Sequence, residues 1–329
     1  MIRFPFLPLV ENEMLKLWKR RRFRLVLLIL VALIGIIVFA QVEGRRRFGS
    51  RKDWRIDTQE QVARMRNWVR QGRMPDTQRR WMQFEIARLQ YHLDRNINPE
   101  DLSGPLFARG FANAASYLLL HLLAIVFAAD IVSSEFAQGT VKLLLTRPVG
   151  RRRVLASKLA ALLLAVGLTV LLGGVVAYLF GGLAYGYRGW GAPVLTGFRL
   201  SGETLDSSAV RAVPLWQDAV LVFGLAWFAT AAVAAIGFMT SVLLRSTAAS
   251  MGTMFAALIL GTILPRLAST WEFQKYLFVT NLPLPDYYTG SPPPIAGMTV
   301  PFSVGVLTVW GALALAVSFI VFARRDVLA

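Results

Sequence analysis

The chain has 329 residues, of which 55% are hydrophobic and only 17% are charged. Its mean hydropathy of +0.51 is too high for an ordinary soluble domain and predicts several membrane spans. The formal net charge is +17, but the basic residues lie mainly between apolar runs and form no basic-aromatic module, so we expect no nucleic-acid partner. Cysteine is absent and only two histidines occur, which excludes disulfides and a cysteine nucleophile and argues against a metal site.

Six apolar runs are long enough to cross a bilayer, whose hydrocarbon core takes about 20 helical residues. We therefore predict an all-α polytopic membrane protein, one domain over 1–329, with spans at 24–41, 111–132, 154–185, 215–244, 249–267 and 301–323. The third run exceeds what a bilayer requires, and we expect it to bend at its glycine pairs, Gly173-Gly174 and Gly181-Gly182.

Lysine and arginine gather next to the spans on one side of this arrangement. They occur in "KLWKRRRFR" before the first span, in "KLLLTRPVGRRRVLASK" between the second and third, and in "RRD" after the last. The positive-inside rule then predicts that both termini are cytoplasmic, in an inner or plasma membrane. The segment 42–110 is rich in arginine and yet lies outside in this topology, which is the main argument against it.

We predict that 42–110 is an extracellular helical insertion between the first two spans. It contains candidate helices at 58–71 and 77–95, with a capping box formed by Thr58 and Gln61. An apolar stripe at helical spacing marks the second helix: Met82, Ile86, Leu89 and Leu93. Two roles are open, a hairpin that covers the outer ends of the spans and a cap that gates a substrate or binds a partner.

Two further connections are predicted to lie outside. The first, 186–214, is rich in glycine, proline and serine. The second, 268–300, contains "NLPLPDYYTGSPPP", in which prolines this dense exclude a continuous helix. We therefore expect 268–300 to be an extracellular loop or a short re-entrant element.

The cytoplasmic segment 134–153 combines turn residues with strong positive charge. Gly139 is expected to end or bend a helix and Pro148 cannot continue one, which predicts a span, a short interfacial helix over "TVKLLLTR", a turn and a new span. Three arginines, 151–153, would lie at the level of the headgroups. Orientation in the membrane and binding of anionic lipid are sufficient to explain that triplet.

The ordered set Glu, Gly-Thr, Leu-Leu, Arg-Pro, Arg and Lys in "EFAQGTVKLLLTRPVGRRRVLASK" resembles the coupling segment of type-2 ABC transporter permeases. The amphipathic start "LVENEMLKLWKRRRFRLVLL", read as an interfacial helix within 1–23, and the C-terminal "FARRDVLA" are also similar to these chains, whereas 42–110 is not clearly covered. The resemblance implies that 134–153 docks into a groove on a cytoplasmic ATPase. The ATPase-coupling residues that it implies are Glu135, Gly139, Thr140, Arg147, Pro148 and Arg151, with Lys158 as a looser match at the head of the next span.

The resemblance further implies a transport subunit and not an enzyme, paired with a second permease copy or paralogue and with two ATPase subunits. The sequence contains no G-x-x-x-x-G-K-[ST] motif, so ATP and Mg would be bound by the partner and no cofactor is expected in this chain. Outward transport is the expected direction, and no residue selects the substrate.

Polar side chains within the spans are candidates for a pathway because burying them in lipid costs free energy. The candidates are His121, Asn113, Ser116 and Asp130. Hydrogen bonding between helices is an alternative role for His121, and pairing with a nearby arginine is an alternative for Asp130.

Two other functions fit the same sequence. The chain could be a membrane-anchored sensor or immunity protein in which 42–110 binds an extracellular ligand. It could also be an ion-coupled secondary transporter that uses Asp130 or His121. Motifs of intramembrane proteases and acyl hydrolases are absent.

Overall fold

The computed structural model describes residues 6–19, 21–48, 53–72, 74, 76–98, 102–139, 149–201, 204–206, 210–267, 271–289, 295 and 297–324. The helices are α1 Phe6–Lys19, α2 Arg21–Phe48, α3 Trp54–Arg70, α4 Asp76–Asp94, α5 Gly104–Ala115, α6 Leu119–Asp130, α7 Ser133–Ala137, α8 Arg151–Tyr185, α9 Leu215–Leu243, α10 Thr247–Leu267, α11 Leu284–Thr289 and α12 Val300–Arg324.

Among the described residues, six helical segments are long and apolar enough to cross a membrane, and they are α2, α6 continued into α7, α8, α9, α10 and α12. The predicted number of spans and the all-α polytopic class are therefore confirmed. Five of the six predicted runs agree with these helices within a few residues at most ends, because the length of an apolar run is set by the thickness of the hydrocarbon.

The second predicted span, 111–132, is not one helix. α5 ends at Ala115 and α6 begins at Leu119, with a turn between them. The Ser116 hydroxyl donates to the Asn113 carbonyl, a local bond that competes with the helical ladder. No proline or glycine marks this break, so it could not be recognised within the apolar run.

The long helix α8 runs from Arg151 to Tyr185 as one continuous helix in spite of its glycine pairs. A Cβ atom at Gly174 would lie 2.5 Å from the Phe223 ring, and one at Gly181 would lie 2.9 Å from the Phe107 side chain. The glycines therefore serve close packing of aromatic side chains on α9 and α5 rather than a break in the helix.

The predicted helices 58–71 and 77–95 correspond to α3 and α4, but the capping box was wrong. The N-cap of α3 is Asp53, whose side chain accepts from the Arg55 N–H. Thr58 lies one turn inside the helix and donates its hydroxyl to the Trp54 carbonyl. Within the stripe of α4, Met82 and Leu89 are buried and the other two residues are half-buried.

The connection 186–214 contains antiparallel strands that the sequence analysis did not predict. β1 Pro193–Thr196 pairs with β4 Arg211–Pro214, and β2 Arg199–Ser201 pairs with β3 Thr204–Asp206. Phe198, between β1 and β2, is 2% exposed and packs against the rings of Phe84, Tyr91 and His92 on α4. The strands and the α3–α4 hairpin therefore share a small aromatic core.

Residues 271–289 fold back against the bundle. They form short 3₁₀ helices at Glu272–Tyr276 and Val279–Asn281, followed by α11. Four apolar side chains of this segment are buried in one cluster with residues of α6, α9, α10 and α12: Phe278, Val279, Leu282 and Leu284. This packing connects the described part of 268–300 to four helices of the bundle.

The two ends of the bundle differ in chemistry. One end, called here the charged end, contains Glu135, the start of α8 and the end of α12. The start of α8 and the end of α12 are joined by a hydrogen bond from the Arg151 guanidinium to the Ala323 carbonyl. The other end, called the strand end, contains β1–β4 and the start of α5, where the Gly104 N–H donates to the Gly186 carbonyl.

Candidate functional site: an ionic cluster at the charged end

The N-terminal helix α1 places one acidic residue on its buried face. Val10, Glu13 and Leu17 are spaced at three and four residues and are buried together, which is the pattern of one side of a helix. α1 packs against α8. A carboxylate in the middle of this apolar stripe requires a positive partner, because burial of an unpaired charge is costly.

Lys158 on α8 supplies that partner. Its side chain is 1% exposed, and Nζ lies 2.9 Å from Glu13 Oε2 and 2.6 Å from Glu135 Oε1. Lys16 Nζ joins from the more exposed side, 2.7 Å from Glu13 Oε1 and 3.2 Å from Glu135 Oε1. These four side chains, called here the ionic cluster, connect α1, α7 and α8 with two positive and two negative charges.

The charges in the ionic cluster stabilise one another's ionised forms. Burial raises the pKa of Glu13, but attraction to Lys158 and hydrogen bonds from the two lysines outweigh it, so the pKa lies below its ordinary value of 4.5. Burial lowers the pKa of Lys16, but the two carboxylates raise it above its ordinary value of 10.5. Glu13 and Lys16 are therefore both charged at neutral pH, and the cluster connects three helices.

A second ion pair at this end connects α2 to α6. Arg22 Nη1 lies 2.6 Å from Asp130 Oδ1, and the Thr247 hydroxyl on α10 is 3.4 Å from the same oxygen. The arginine partner that the sequence suggested for Asp130 is therefore present. It comes from the basic segment before the first span.

The predicted coupling residues are only partly described. Glu135 and Lys158 meet in the ionic cluster, and Arg151 contacts the end of α12. Gly139 has a φ of +69° and its N–H donates to the Phe136 carbonyl, so it ends α7 as predicted. Thr140, Arg147 and Pro148, and the interfacial helix predicted over 140–147, lie outside the described residues.

The four pathway candidates do not meet in one place. Asn113 Nδ2 lies 2.7 Å from Asp286 Oδ1 on α11, whereas Asp130 pairs with Arg22 at the charged end. Ser116 bonds within its own chain segment. His121 is fully buried between these ends and, apart from a weak interaction with the Ser116 backbone, its ring nitrogens have no hydrogen-bond partner among the described residues.

Another buried ion pair, at the strand end, was not predicted. Arg109 Nε on α5 lies 2.6 Å from Asp218 Oδ2 on α9, and Asp218 is fully buried. Arg109 and Asn113 are four residues apart and so lie on the same face of α5. That face binds α9 through Arg109 and α11 through Asn113.

Sequence reasoning missed Glu13, Lys16 and Arg22 as members of the site. A signal for Glu13 was available, because it occupies a position that helical periodicity assigns to the apolar face of the N-terminal segment. No comparable signal exists for the pairing itself, since Glu13 and Lys158 are separated by 145 positions in the chain.

Comparison with known proteins agrees with the membrane architecture. The family described as "Protein of unknown function (DUF2705)" matches residues 82–328. The "Uncharacterized protein YhcI" of Bacillus subtilis (strain 168) is 27% identical over 325 residues, 98% of this chain and 99% of that protein. The "Uncharacterized membrane protein YdbK" of the same organism is 29% identical over 212 residues, 64% of this chain and 78% of that protein.

The match to the family begins within α4 and includes every element from α5 to α12. It therefore contains two members of the ionic cluster, Glu135 and Lys158, whereas the full-length similarity to YhcI extends over α1 as well. With its six candidate spans, the chain is a multi-pass membrane protein that belongs to the DUF2705 family.

Proposed function

We propose that this chain is the transmembrane permease subunit of an ATP-driven type-2 ABC transporter. The charged end would face the cytoplasm, with both termini on that side, and would bind a separate ATPase subunit that holds ATP and Mg. A second permease subunit, identical or homologous, would complete the transporter. Export of a substrate is the direction that the family resemblance favours.

The ionic cluster is the single observation that supports this proposal best. Glu135 belongs to the segment that resembles a coupling segment, Lys158 begins the following span, and Glu13 belongs to the N-terminal helix that also resembles these permeases. The three residues meet within hydrogen-bonding distance. A segment that transmits force needs rigid connections to the spans, and a buried ionic connection to α1 and α8 provides them.

The distribution of charge at the same end supports this orientation. Arg151, Arg152 and Arg153 open α8, close to the level where α2 begins with arginines, and such residues favour the cytoplasmic leaflet and its anionic lipids. In this orientation α3, α4 and the strands form an outer structure. The exposed apolar side chains of α1, Leu7, Leu15 and Trp18, would lie along the inner surface of the membrane.

Copurification from the native membrane in mild detergent tests the proposal. We expect an ATPase subunit in stoichiometric amount, and we expect Gly139→Pro to weaken its binding, since proline cannot adopt the positive φ at this exposed turn. Gly72→Pro is a matched control, because Gly72 also has a positive φ, an N–H bonded three residues back and open space around it, but lies in the α3–α4 connection.

Purification of the native chain without any ATPase would refute the proposed function. Equal loss of the ATPase in the Gly72 and Gly139 variants would show that the loss reflects general damage. Glu135→Ala is a poorer probe, because Glu135 is 6% exposed and its removal disturbs the ionic cluster as well as the segment.

A further inference from the structure

The junction between α6 and α7 is held by a residue from another span. The Val132 and Ser133 N–H groups both donate to the Ser241 hydroxyl on α9, at 3.1 and 2.9 Å. The Ser241 hydroxyl in turn donates to the Ala129 carbonyl at 2.9 Å. All of these atoms are buried, and Ser241 itself is fully inaccessible.

The geometry replaces a backbone bond with a side chain. In a continuous α-helix the Ser133 N–H would donate to the carbonyl four residues before it, which is that of Ala129. Here the Ser241 hydroxyl stands between the two groups, accepting from one and donating to the other. Insertion of a polar group into the ladder in this way is a recognised cause of a sharp bend.

A second contact comes from the start of α10. Thr247 Oγ1 lies 2.9 Å from Ser133 Oγ and 3.4 Å from Asp130 Oδ1. Ser241 and Thr247 flank the turn between α9 and α10. Residues on both sides of this turn therefore form hydrogen bonds with the junction. The junction, residues 129–133, is called here the elbow.

The elbow lies directly before Glu135. α7 is therefore fixed at its far side by the ionic cluster, through α1 and α8, and at its near side by the elbow, through α9 and α10. On the α7 side, a displacement of the segment after Gly139 reaches the spans through these two attachments, because α7 is only five residues long.

We propose that the elbow is the pivot of the coupling segment and that Ser241 is the positioning residue that connects the segment to α9 and α10. This inference rests on the proposed function for the partner that moves the segment. The attachment itself does not, since it is defined by hydrogen bonds within this chain.

The native absence of cysteine allows a direct test with paired spin labels. Gln138→Cys and Arg245→Cys place labels at exposed positions beyond the elbow and in the α9–α10 turn. We expect one narrow distance distribution in the native background and a broad, displaced one in Ser241→Ala. Ser318→Ala is the matched control, a fully buried serine on α12 whose hydroxyl donates to its own helix, and it should keep the narrow distribution.

The copurified ATPase provides the second readout. With ATP we expect the distance between the labels to shift in the native background, and we expect Ser241→Ala to lose this shift while it still binds the ATPase. A variant that had only lost stability would not lose the ATP-dependent shift while it still binds the ATPase. If Ser241→Ala does not fold, Thr247→Val provides the test, since it is isosteric and should broaden the distribution in the same direction.

An unchanged distribution in Ser241→Ala, or equal broadening in Ser318→Ala, would overturn the inference. A retained ATP-dependent shift in Ser241→Ala would overturn it as well. A native chain that binds no ATPase would refute the proposed function, and the distributions of the chain alone would still decide whether Ser241 holds the elbow.

Discussion

The ammonium group of Lys158 lies 2.6 Å from Oε1 of Glu135, in a position where the lysine is 1% exposed. The same ammonium group lies 2.9 Å from Glu13. A buried lysine remains charged only when carboxylates compensate for its lost hydration. The ionic cluster is therefore a unit whose members depend on one another, and its consequences can be measured.

Removal of the buried ammonium group should destabilise the protein strongly. Lys158→Met removes the buried positive partner that Glu13 and Glu135 share, and breaking a buried pair in this way costs about 3 kcal/mol. The measurement is the free energy of unfolding in detergent. Lys275→Met serves as the control, since Lys275 pairs at 3.8 Å with an exposed carboxylate, and it should cost less than about 1 kcal/mol. Similar losses in the two variants would contradict the assignment.

The lowered pKa of Glu13 predicts how stability depends on acid. A carboxyl group whose pKa is lower in the folded state stabilises the fold above its unfolded pKa, here 4.5, and loses this contribution as the pH falls through the folded pKa. The unfolding temperature of the native chain should therefore decline below pH 4.5. Glu13→Gln should lack this part of the decline, and an equally steep decline in the variant would refute the role of Glu13.

Asp286 should have the opposite effect. Burial raises its pKa to about 6, against the hydrogen bond from Asn113 and the charge of Arg109. The folded state therefore retains a proton that the unfolded state releases, so stability should fall as the pH rises from 3.8, the ordinary pKa of an aspartate, to about 6. Asp286→Asn keeps an acceptor for Asn113 and should remove this dependence. Unfolding profiles measured across this range check the prediction, and an unaltered slope in the variant would count against it.

The close packing of α8 against α9 predicts a steric effect at Gly174. A Cβ there would lie 2.5 Å from the Phe223 ring, so Gly174→Ala should destabilise the protein by about 1 to 3 kcal/mol, as overpacked cores do. Gly224→Ala, on the facing helix with open space around its Cβ, should be neutral or slightly stabilising. Both substitutions reduce backbone flexibility, but only Gly174→Ala introduces a steric clash. Thermal unfolding of both variants in the same detergent therefore distinguishes the two effects.

The α3–α4 hairpin and the strands show how far local signals extend. The periodic stripe of α4 predicted its helix within a residue at each end. The strands of 193–214 were not predicted, because each is three or four residues long, too short for alternation to be recognised. Their place is set by Phe198, which packs between the rings of α4.

The sequence by itself determined the number of candidate spans and the position of Gly139 as the end of a helix. These properties depend on composition over about 20 residues or on the backbone preference of one residue. The break at Ser116, the elbow and the ionic cluster were decided by the tertiary structure. The elbow and the ionic cluster depend on polar groups from distant parts of the chain, and the break depends on competition between local and helical hydrogen bonds. Neither cause can be recognised in the sequence of an apolar run.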